Sequence, residues 1–151
     1  MLFRSDPSFA ARALRGERVR RCIGCNQECI AAVGLNRRLG CVVNPDAGRE
    51  SFPPPTAGPR RRVLVVGGGP AGLAAAAEAA ERGHDVHLVE RSDRLGGQFA
   101  IAAAAPERRE LALAVADLAR RCRDAGVRIS LRTDAREAHQ AGSGQIGRAH
   151  V

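Results

Sequence analysis

The chain has no tryptophan, no tyrosine and no lysine, and its aromatic content is only 3%. With four phenylalanines for 151 residues, any core must be assembled from valine, leucine, isoleucine and alanine. All 24 basic residues are arginine and the formal net charge is +8. Excluding lysine so completely reflects a compositional bias more than a nucleic-acid partner, whose surface mixes the two cations and interleaves aromatic rings. No apolar run approaches the ~20 residues of a membrane span, and Met1–Ala10 lacks the apolar centre of a signal peptide. These features lead us to expect a cytoplasmic protein with reduced thiols, no membrane and no nucleic-acid partner.

What the chain does have is concentrated in two places. The first is Arg62–Glu90, RVLVVGGGPAGLAAAAEAAERGHDVHLVE. Val63–Val66 is a continuous apolar run, as in a strand buried on both faces of a parallel sheet. Gly67, Gly69 and Gly72 follow as G-x-G-x-x-G. Gly67 permits a tight turn, Gly69 lets the backbone approach a pyrophosphate, and Gly72 lets a helix pack closely on the sheet. Pro70 suits a helix start, alanines carry the helix through Arg82, and Gly83 stops it. Asp85–Val89 reads as a second strand. Glu90 falls eighteen residues after Gly72, where a carboxylate holds a ribose hydroxyl and repels a 2′-phosphate. The site therefore suits FAD or NAD better than NADP.

The second place is a cysteine group. Cys22, Cys25, Cys29 and Cys41 form C-x2-C-x3-C-x11-C. In a chain without an export signal such density reads as metal or cluster binding. Four thiolates suit either zinc or an iron–sulfur cluster. Zinc more often uses two separated C-x-x-C knuckles, so the spacing favours a 4Fe–4S cluster, with zinc and plain thiols as alternatives. Arg18, Arg20, Arg21, Arg37 and Arg38 flank the cysteines, either offsetting cluster charge or lying in solvent.

Taken together, RRCIGCNQECI, LGCVVNPDAGRE, VLVVGGGPAGLAAA and ERSDRLGGQ resemble the 2,4-dienoyl-CoA reductase and trimethylamine dehydrogenase family, multidomain relatives of old yellow enzyme. The likeness runs over roughly Leu2–Thr133. It implies an FMN-holding barrel, then a 4Fe–4S segment, then a Rossmann-type domain. It implies Cys22, Cys25, Cys29 and Cys41 as cluster ligands. Gly67, Gly69, Pro70, Ala71, Gly72, Glu90, Arg91, Gly97 and Gln98 would then lie at FAD, or at ADP in some members. Asn44, Pro45 and Gly48–Glu50 match the stretch between cluster and nucleotide domain and are read as structural. The barrel is absent, and Arg4–Pro7 resembles the segment just beyond it, so the chain is expected to begin where the barrel ends. FMN, NAD(P)H, the enoyl-type substrate and the substrate-reducing residues are expected in the full-length protein.

The remaining segments read more plainly. Ser5 or Asp6 is expected to cap a short helix with Pro7 at its first position. Ser51–Arg62 is a Pro-rich linker. Leu95–Gln98 is a second glycine turn. Pro106 is expected to open a long helix whose stripe is Leu111, Val115, Leu118 and Cys122, with Cys122 a small core residue. Val127–Leu131 is a third strand that ends the sheet and leaves an exposed edge. His84 and His87 are expected at the surface, and His139 and His150 carry no function.

The expected class is α/β: a partial Rossmann-type, FAD/NAD(P)-binding parallel sheet preceded by a small Cys-rich segment. The expected domains are residues 1–50 for the cluster segment, 51–61 for the linker, 62–133 for the first half of the nucleotide domain, and 134–151 for an unstructured, non-native tail. The expected function is a fragment of an iron–sulfur flavoprotein oxidoreductase relaying electrons between FAD and FMN through the cluster, inactive alone. The rivals are a stand-alone electron-transfer or nucleotide-binding module and a zinc-stabilised interaction protein.

Overall fold

The computed structural model describes residues 2–52, 58–136 and 145–148. The chain forms two compact units, Met1–Pro55 and Thr56–Val151. The core of the Pro-rich linker, and His139 and His150, lie outside the described residues. Among the described residues no helix is long and apolar enough to cross a membrane.

In the first unit the expected single helix is two: α1 (Leu2–Ser5) and α2 (Phe9–Leu14). The break has a local cause. Asp6 turns its carboxylate back onto the Ser8 N–H at 3.0 Å, and the Phe9 N–H donates to the Asp6 carbonyl at 3.0 Å. Pro7 therefore occupies a turn instead of a first helical position. A third helix, α3 (Ile30–Gly34), starts directly after Cys29 and had no clear signal in the sequence. Little apolar surface is buried here: Ile23, Ala32 and Ala47. The centre is polar instead, made of the buried Ser5, Asp6 and Asn44. Ser5 Oγ donates to the Arg20 carbonyl at 3.2 Å, and the Arg20 N–H donates to Asp6 Oδ2 at 3.0 Å. The Arg20 guanidinium donates to Asn44 Oδ1, and Asn44 Nδ2 donates to the Arg4 carbonyl at 3.1 Å. Satisfied in this way, a buried polar centre holds distant stretches in one geometry.

The second unit is the doubly wound half. β1 (Arg62–Val66), α4 (Pro70–Glu81) and β2 (Asp85–Val89) form a βαβ unit. Then come α5 (Gly97–Ala102), α6 (Arg109–Asp124), β3 (Arg128–Ser130) and β4 (Gln145–Arg148). The sheet order is β3-β2-β1-β4 with every pair parallel. Leu73, Ala76 and Ala77 of α4 pack with Val65, Val86 and Leu88 of the strands, and α6 adds Val115, Ala119 and Cys122. Cys122 is fully buried and its thiol donates to the Leu73 carbonyl at 3.1 Å; burial pushes its pKa up, so it stays a neutral core group. Arg121 of α6 ties to Glu78 of α4 at 2.9 Å and to Glu81 beside it.

Three expectations are corrected. The tail is not wholly unstructured: Gln145–Arg148 runs parallel to β1, with Val63 opposite Gln145 and Val66 opposite Arg148. The reason is the sheet itself, because β1 offers a row of unpaired backbone groups on that side, and pairing them outweighs a weak strand preference. α6 begins at Arg109 and not at Pro106, because Glu107 takes a left-handed φ of 61° that breaks the helix there. His87 sits within β2 and is half-buried, its Nε2 2.9 Å from Ser130 Oγ; burial first, then the charge of Arg128, lowers its pKa.

Candidate functional site

The glycine turn joins β1 to α4. Gly67 takes φ +102° and donates its N–H to the Val89 carbonyl at 2.8 Å, which ties the end of β1 to β2. A side chain at Gly72 would come within 1.9 Å of the Gly67 carbonyl oxygen, so α4 approaches the strand more closely than any other residue allows. Gly69 is different. Nothing lies within 4 Å of where its side chain would be, so bare backbone faces open space at the start of α4. Pro70 stands at the first turn, followed by half-buried Ala71. The free N–H groups of a helix start attract anions.

Glu90 closes one side of this turn. Its Oε2 accepts the Gly68 N–H at 2.6 Å, and its Oε1 accepts the Ser92 N–H at 2.8 Å and the Ser92 hydroxyl at 2.9 Å. Burial pushes its pKa up, but the N–H groups of Ser92 and Gly68, the Ser92 hydroxyl and the Arg91 charge outweigh that, and the net shift is downward. Glu90 is thus a carboxylate at neutral pH. The second glycine turn packs on the first: the Gly96 N–H donates to the Gly68 carbonyl at 2.8 Å, and a side chain on Gly97 would lie 3.5 Å from Gly69 Cα. Arg91, Gly97 and Gln98 are exposed. The sequence reading missed Gly68 and Ser92. The signal for Gly68 was the unbroken Gly67–Gly69 triplet: a side chain there would strike Leu95 at 2.6 Å.

The four cysteines of the first unit are all half-buried thiols, and all four line one pocket. With its open mouth included, the pocket encloses about 310 Å³. Ile23, Val42 and Val43 supply apolar wall between the thiols. Cys22 Sγ accepts the Gly24 N–H at 3.4 Å, and Gly24 and Asn26 take left-handed φ values of 66° and 56° as the chain wraps. The Asn44 N–H donates to the Cys41 carbonyl at 3.1 Å, which joins the fourth cysteine to the polar centre. Among the described residues no three Cys, His, Asp or Glu side chains converge as they would on a single ion. Of the flanking arginines, none lines the pocket. Arg4 does, and so does Glu28, neither of which stood out in the sequence.

A family model described as FAD dependent oxidoreductase matches residues 62–146. A metal reductase of Desulforamulus reducens is 43% identical over 135 residues, covering 87% of this chain and 20% of that protein. An NADH oxidase of Thermoanaerobacter brockii is 48% identical over 107 residues, covering 68% of this chain and 16% of that protein. A solved structure of a 2-naphthoyl-CoA reductase in complex with 2-naphthoyl-CoA superposes with a TM-score of 0.89 at 31% identity, over 98% of this chain and 24% of that one. The chain thus spans about a fifth of the length of the curated relatives it matches.

Proposed function

The chain belongs to the FAD dependent oxidoreductase family, and from that premise we propose that it is the part of an iron–sulfur flavoprotein in which electrons pass between FAD and FMN through a 4Fe–4S cluster. The observation that carries the reading is the gathering of four thiols on one pocket in a chain that also holds an FAD-type glycine turn. Cys22, Cys25, Cys29 and Cys41 would hold the cluster.

Gly67, Gly69, Pro70, Ala71 and Gly72 would hold the pyrophosphate of FAD against the open backbone at the start of α4. Glu90 would take the ribose hydroxyls and repel a 2′-phosphate, which favours FAD over a phosphorylated nucleotide at this turn. Arg91, Gly97 and Gln98, at the rim, would complete that contact. When bound, FAD accepts two electrons from a hydride donor and releases them singly, and a 4Fe–4S cluster carries them one at a time. The donor is proposed to be NAD(P)H, in keeping with the relative named NADH oxidase. The substrate is proposed to be an enoyl-type compound, in keeping with the reductase of naphthoyl-CoA. FMN and the groups that reduce the substrate are assigned to the remainder of the whole protein.

The test is anaerobic reconstitution of the full 151-residue chain with iron and sulfide, followed by metal, sulfide and adenine analysis. The expected product holds iron and acid-labile sulfide in equal amounts and retains FAD, yet reduces no C=C bond. Zinc without sulfide, or enoate reduction by the chain alone, would contradict the proposal.

A further inference from the structure

We infer that Arg4 sets the reduction potential of the group held by Cys22, Cys25, Cys29 and Cys41, its permanent positive charge favouring the reduced state. The inference rests on the cluster reading above and deepens it. Among the residues that line the pocket Arg4 is the cation and Glu28 the anion. The flanking arginines that the sequence brings forward stand elsewhere: Arg18, Arg21, Arg37 and Arg38 are exposed, and the Arg20 guanidinium is engaged by Asn44.

Arg4 is also held where it stands, although it lies near the chain start. Its carbonyl accepts from Asn44 Nδ2 at 3.1 Å. The next residue, Ser5, is fully buried and donates to the Arg20 carbonyl at 3.2 Å, and Asp6 accepts the Arg20 N–H at 3.0 Å. Asn44 follows Cys41 by three residues and Arg20 precedes Cys22 by two. One network therefore locks the backbone of Arg4 to both ends of the ligand set. The side chain therefore starts from a fixed point on the half-buried pocket wall, where a charge is screened less than in open solvent.

The sign follows from charge. Four thiolates make the oxidised cluster an anion, and one electron from the reductant makes it more negative. A nearby cation therefore stabilises the reduced form more than the oxidised form, and net local charge is a principal determinant of cluster potential. Glu28 acts in the opposite sense, and less strongly because its side chain is exposed.

The experiment is a dithionite titration with mediators, followed by electron paramagnetic resonance, on the reconstituted full chain. Arg4→Gln is expected to lower the reduction equilibrium constant about tenfold, which for one electron is about 59 mV. Arg4→Lys should stay close to the unaltered chain, Arg37→Gln should leave the potential unmoved, and Glu28→Gln should raise it slightly. Full iron content with an unmoved potential in Arg4→Gln would overturn the inference. Should Arg4→Gln fail to retain iron, Glu28→Gln decides, and an unmoved or lowered potential there overturns it equally. An unaltered chain that takes up no iron and sulfide would instead defeat the cluster reading itself, and metal analysis tells the two failures apart.

Discussion

The two units reach order by different routes. The second buries an aliphatic core in which Leu73, Ala76, Ala77, Leu88 and Cys122 have no exposed surface. Among the described residues the first buries only Ile23, Ala32 and Ala47 of its apolar side chains, and leaves Phe3, Leu14, Ile30, Val33, Leu35 and Phe52 exposed. Its centre is the hydrogen-bonded set of Ser5, Asp6, Arg20 and Asn44. A unit of this size with so small a core gains most from a metal, a disulfide or a partner, and its cysteines are thiols. The glycine turn is therefore a site preformed by packing, whereas on the proposed cluster reading the first unit would draw its stability from the group its thiols bind.

The contrast can be broken at its strongest point. Gly72→Val forces a side chain into the Gly67 carbonyl, 1.9 Å from the first added carbon. A loss of about 3 kcal/mol or more is expected for such a backbone clash. Thermal unfolding followed by the amides of β1 and β2 should show it, while iron uptake by the first unit persists. A variant that unfolds at the unaltered temperature would show that α4 does not need the close approach. A smaller effect sharpens the same contrast. The bond from Arg82, opposed by burial and aided by Arg121, holds the Glu78 carboxyl below its ordinary value of 4.5. A carboxyl with a lowered folded value contributes stability that is present above about pH 4.5 and is lost as pH falls through the folded value. Because Glu78 is well exposed, the effect is expected to be about 0.5 kcal/mol. Glu78→Gln should flatten that acid limb for the second unit, and an unchanged limb would remove the ion pairs from the account.

How far the sequence was legible follows the same division. In the second unit, periodicity and the glycine spacing sufficed to place β1, α4 and β2, because local preference and packing agree there. Gly72 shows why: its spacing from Gly67 encodes a contact. In the first unit the cysteine spacing pointed to a shared site, but the helix break at Pro7 depends on the Asp6 carboxylate, and α3 has too few residues for a period. Arg4 could not be singled out, since its place is fixed by long-range bonds: its own carbonyl accepts from Asn44, 40 positions away, and its neighbour Ser5 donates to Arg20, 15 positions away. β4 was illegible for another reason: Gln145–Arg148 owes its form to the open side of β1 and not to its own residues.

The most direct measurement is hydrogen exchange on the full chain, loaded with iron and sulfide and then stripped of them. On stripping, the amides of Ile23–Cys29 and Ala32–Arg37 should lose their protection while those of Val65 and Leu88 keep theirs. Equal protection of the first unit in both states, or loss in both units together, would contradict the claim that one half is held by its core and the other by what its thiols bind.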